Sequence, residues 1–99
     1  MVVRIEPNGK SSPPDKLADA EIHFTDGALA GLRLIGFAVW ERRSGRSVTF
    51  PSRQYTVNGE RRTFALLRPV EGEGGGQDRI RELILAAYAD HEQQAAAPA

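Results

Sequence analysis

The sequence predicts an α+β domain in which an antiparallel β-meander of about five strands precedes one C-terminal amphipathic helix. Three observations predict it. Ala20, Ile22 and Phe24 alternate with Glu21, His23 and Thr25, the period of a half-buried strand. The dipeptides Asp26-Gly27, Ser44-Gly45 and Asn58-Gly59 punctuate the apolar runs as hairpin turns do. Ile80, Leu83, Ile84, Ala87 and Tyr88 then fall at i, i+3, i+4, i+7 and i+8, a full helical stripe.

In chain order, Val2 to Glu6 reads as a first short strand, and residues 7–17, rich in proline, glycine and serine, as a flexible loop. The second strand runs from Ala18 to Thr25, and Asp26-Gly27 is expected to fold it back by a tight hairpin onto a third strand, Leu29 to Glu41. Strict alternation along that strand sets Leu32, Leu34, Ala38 and Trp40 against Ile35, Phe37 and Val39, so both faces are apolar. One helix covers one face of a sheet, and the surplus predicts a second layer supplied by another copy of the chain, a homodimer. Gly36 reads equally as a bulge or as a tolerated glycine. Val48 and Phe50 mark a fourth strand ended by Pro51, and Asn58-Gly59 joins Tyr55-Thr56-Val57 to a last strand closed by Pro69. Residues 70–77 form a Gly-rich acidic connector, Asp78 stands at the helix start as N-cap or first-turn residue, and 93–99 is a tail expected to fray.

A chain of 99 residues with 40% hydrophobic content supports one core, so 1–92 is read as one domain. No apolar run is long enough to span a bilayer, and the N-terminus lacks the pattern of a secretory signal. The absence of cysteine removes disulfides, thiol nucleophiles and cysteine metal sites, and is compatible with a cytoplasmic location. The net charge is zero but segregated. Residues 33–68 carry eight arginines against Glu41 and Glu60, a balance of plus six, whereas 1–32 stand at minus two and 69–99 at minus four.

No residue set predicts catalysis, and neither a cofactor nor a small-molecule substrate is expected. His23 and His91 read as solvated side chains outside any metal-ligand spacing. Gly72 to Gly76 precedes a helix but lacks the lysine and hydroxyl residue of a phosphate loop, and Glu71 and Glu73 would repel phosphate. Ser44, Ser47 and Ser52 have no nucleophile-elbow pattern. Trp40 and Tyr88 lie in apolar faces and are expected to be core. Tyr55, among Arg53, Arg61 and Arg62, is the aromatic that remains as a candidate for base stacking. Arg42, Arg43 and Arg46 flank one turn and Arg53, Arg61 and Arg62 the next, placing guanidinium groups near strand ends where they suit phosphate contact, although composition alone favours a charged guard on exposed sheet edges.

From about Ala20 to Tyr88 the chain resembles the stage V sporulation protein G (SpoVG) family. The likeness rests on Leu32-Arg33-Leu34-Ile35, Gly45-Arg46-Ser47-Val48-Thr49-Phe50-Pro51-Ser52-Arg53, the hairpin Asn58-Gly59-Glu60-Arg61-Arg62, and a closing helix, Ile80 to Tyr88, that ends in tyrosine. It implies a small α+β fold dimerising through its sheets, in a bacterial regulator that binds DNA or RNA without catalysis. It also raises the expectation of phosphate contact at Arg46, Arg53, Arg61 and Arg62. The loop at 7–14 and the Gly-Glu stretch at 71–76 are longer than the family pattern.

Overall fold

The computed structural model describes residues 1–9, 12–71 and 74–96, so the expectations for positions 10, 11, 72, 73 and 97–99 lie outside the described residues. The fold is α+β, as predicted, with six strands in two antiparallel sheets and one C-terminal helix. Strands β1 (Val2–Pro7), β2 (Lys16–His23), β3 (Arg33–Arg42) and β4 (Gly45–Thr49) form a four-stranded meander in sequence order. Strands β5 (Ser52–Val57) and β6 (Glu60–Ala65) pair only with each other. Helix α1 spans Gly76–Ala96, taking in four residues of the segment expected to fray, with Asp78 in its first turn.

Two elements depart from expectation. Asp26-Gly27 does not make a tight hairpin: Asp26 is extended at φ −148°, and Gly27–Leu29 form a short 3-10 turn. Gly27 and Gly31 both take positive φ, which opens a wider loop, and Gly31 N–H bonds to Phe24 O while Phe24 N–H bonds to Leu32 O. The third strand therefore begins at Arg33 rather than Leu29. Its alternation is also broken. Ala20 pairs with Phe37 but Ile22 with Leu34, so three steps along β3 oppose two along β2. The extra residue is a bulge at Gly36, which has φ +108°.

The bulge resets the parity of the strand. Leu34 joins Phe37 and Val39 on the helix side, and Ile35, Ala38 and Trp40 take the back. This corrects the strict alternation read from the sequence. The core lies between sheet and helix: Ala18, Ala20, Ile22, Phe37, Val39 and Val48 pack with Ile84 and Tyr88. Val3 and Ile5 border it from β1 and Phe50 from beyond β4, its ring 5.2 Å from that of Phe37 in an edge arrangement. The helix stripe is only partly covered, because Leu83 remains 44% exposed. Pro51, buried against Gly36, ends the four-stranded sheet and turns the chain into β5.

Among the described residues, no element lies on the back of the four-stranded sheet to match the helix on its front. Leu32 and Ile35 are more than half exposed, and Trp40 is half-buried, its indole N–H donating to Thr49 Oγ1 at 2.8 Å. The expectation that Trp40 is core is not met, because it lies on the back of the sheet outside the core cluster, whereas Tyr88 is buried within it.

Candidate nucleic-acid interface

A β-hairpin needs cover on one face to be stable, yet the β5–β6 pair has almost none. Every residue of β5 is exposed, and in β6 only Phe64 and Ala65, at the base, are half-buried. It projects as an arm of about 20 Å, six residues at roughly 3.4 Å each. Its root is fixed by Leu66 N–H bonding to Pro51 O at 2.9 Å. Its tip is a primed turn, with Asn58 at φ 51° and Gly59 at φ 79°, the left-handed pair that Asn-Gly favours. The projection is visible in the dimensions of the molecule: the radius of gyration is 15.3 Å, against about 13 Å for a compact domain of this length.

The register sorts the arm's side chains. Arg53 pairs with Phe64, Tyr55 with Arg62 and Val57 with Glu60, and these share one face. Gln54 with Thr63 and Thr56 with Arg61 share the other. Guanidinium groups therefore stand on both faces of one ribbon. Arg53 and Arg61 have no carboxylate within 4 Å among the described residues, and Arg62 has only Glu60, two residues away on its own strand, at 3.4 Å. Tyr55 is 39% exposed and packs edge-on to Phe64 at 5.5 Å, so it buttresses the aromatic pair with one edge and offers the rest of its ring to solvent.

The other predicted arginines divide. Arg42 lies over the Trp40 ring at 4.8 Å, on the uncovered back of the sheet. Arg43 is exposed in the β3–β4 turn. Arg46 faces the other way. Both its terminal nitrogens bond to the Glu92 carboxylate, at 2.5 and 2.7 Å, its guanidinium lies 4.9 Å over the Tyr88 ring, and Glu41 stands 3.7 Å away. The bond to Glu92 raises the Arg46 pKa further. Arg46 is thus a clamp between β4 and α1, and the structure does not bring it together with the arm. Sequence position next to a turn could not reveal this, because the partner is 46 residues away.

Two groups escaped the sequence reading. Arg68, at the root of the arm, lies 5.8 Å over Phe64 and extends the basic set; its place at the end of the central arginine run was the available signal. The second is a charged cluster on the back of the sheet. His23 is not a free, solvated side chain: its Nε2 lies 2.7 Å from Glu21 Oε1, and Arg33 reaches the same oxygen at 3.3 Å. Positions 21 and 23 share a strand face, which period two alone implies. Glu21 is buried to 9% exposure, and the His23 hydrogen bond, with Arg33 beside it, lowers its pKa below the usual 4.5 against the opposing effect of burial. His91 stacks on Tyr88 at 6.3 Å. Among the described residues no group of three or more His, Cys, Asp or Glu side chains is placed to hold a metal ion, and no helix is long and apolar enough to cross a membrane.

No family model, curated protein or solved structure matches this chain.

Proposed function

We propose that this chain is a non-enzymatic, nucleic-acid-binding regulatory protein of the bacterial cytoplasm, acting as a homodimer and holding phosphates with the arginines of its β5–β6 arm. The observation that carries the reading is the arm itself. It places Arg53, Arg61 and Arg62 on a projecting ribbon with at most one weak acidic partner. A ribbon basic on both faces suits a site with phosphates on two sides, as a nucleic-acid groove has, better than a flat acidic surface. Arg68 at the root and Arg42 and Arg43 at the neighbouring turn extend the positive field, and Tyr55 adds a ring face beside the guanidiniums. The resemblance to the SpoVG family supports the same reading. Arg46 is left out, because Glu92 and Glu41 already neutralise it.

Anisotropy titrations against mixed-sequence DNA and RNA at low salt test this reading. Binding to either that weakens steeply with added salt is expected, and its absence for both ends the proposal. A second reading is favoured by the arm's apolar side chains: Tyr55, Val57 and Leu66 are exposed beside the arginines, the composition of a docking surface for an acidic partner protein. A single stoichiometric partner recovered in a pull-down and retained after nuclease treatment would select it.

A further inference from the structure

The end of the core nearest the start of α1 is not filled. A cavity of about 370 Å³ opens there between the sheet and the helix, floored by Ile22, Phe24 and Leu34 and walled by Ile80 and Leu83. This is within the size range of small-molecule sites, and its lining is predominantly apolar, as theirs is. Two cations stand at the lining, Arg68 from the segment after β6 and Arg79 from the first turns of the helix. Both are exposed, and neither has a carboxylate within 4 Å among the described residues. Gln77 Nε2 donates to Leu67 O at 2.9 Å, tying the chain before the helix to the cavity wall.

An apolar chamber lined by two arginines has the polarity of an amphipathic anion. The geometry points to a binding site for a small monocarboxylate with an aliphatic body, the chain lying against Ile22, Leu34 and Ile80 and the carboxylate meeting Arg68 and Arg79. Such a ligand is an effector rather than a substrate, since no bond is made or broken. The site draws on none of Arg53, Arg61 or Arg62 and shares only Arg68 with the nucleic-acid reading.

Octanoate is the probe, titrated calorimetrically into the intact protein with 1-octanol and the shorter acids as comparisons. One octanoate should bind per chain. Each methylene added from hexanoate upward should tighten binding about fourfold, the effect of burying one such group. Octanol should bind at least tenfold more weakly. Arg68→Gln with Arg79→Gln, both exposed positions, should weaken octanoate about tenfold while leaving octanol unchanged. Leu83→Glu, a partly exposed position, should abolish octanoate binding by placing a carboxylate at the mouth. No binding of octanoate, equal binding of octanol, or an unchanged affinity in the double arginine variant would each overturn the site.

Discussion

At φ +108°, and with the Pro51 ring pressed against the place its own β-carbon would take, Gly36 occupies a position that a larger residue enters only by displacing its neighbours. A β-carbon there would stand 2.8 Å from Pro51 Cβ. Gly36→Ala is therefore expected to destabilise the fold by roughly 1 to 3 kcal/mol, combining backbone strain with the contact, and urea unfolding measures it. In the sequence Gly36 fits a bulge or a tolerated glycine equally well, because the deciding contact comes from Pro51, which only the fold brings near. The same bulge explains why residue-by-residue alternation assigned Leu34 to the wrong face. Glu21 shows a similar limit, since its polar position was legible but its burial beneath His23 and Arg33 was not. Its depressed pKa makes a signed prediction. A carboxylate that binds its proton less readily when folded stabilises the native state above the unfolded pKa, near 4.5, and loses that contribution as pH falls through the lower folded value. Glu21→Gln should flatten the stability profile below about pH 4.5. Thermal unfolding followed from pH 6 to pH 3 reads it, and an unchanged acid limb would contradict it.

Among the elements, strands and helix were legible wherever one period ran without interruption. The helix stripe from Ile80 to Tyr88 and the Asn58-Gly59 turn both occur as predicted. What the sequence concealed was the separation of β5 and β6 from the main sheet. Their alternation resembles that of any meander, and the break depends on Pro51 settling against the bulge. An isolated two-stranded hairpin is marginal in water, so the arm should open far more easily than the four-stranded sheet. Native-state hydrogen exchange should show amides of Tyr55, Val57 and Arg62 exchanging through local openings, orders of magnitude faster than those of Phe37 and Val39. Uniform protection across both sheets would mean that something covers the arm in solution.

Across the whole molecule, the charge segregation of the sequence acquires a location. The central positive block divides between the projecting arm, the β3–β4 turn, Arg33 beside Glu21 and the clamp of Arg46 on Glu92, so fewer arginines are free of carboxylates than the count of eight suggests. The open back of the sheet favours a second copy. Sedimentation equilibrium is expected to return twice the 10.8 kDa chain mass, and Ile35→Lys, exposed in the single chain, to shift it toward the single-chain mass. A monomer at all concentrations would remove the dimer from the account.

Whether the arm's arginines hold phosphates is decided by the salt dependence of nucleic-acid binding in two variants. Each phosphate contact contributes about 0.7 to 0.9 to the slope of log affinity against log salt. Replacing Arg53, Arg61 and Arg62 together with alanine should lower that slope by roughly two to three for each arm engaged. Arg46→Ala, which removes an internal clamp, should leave the slope unchanged. An unaltered slope in the triple variant, or an equal loss in Arg46→Ala, would contradict the account.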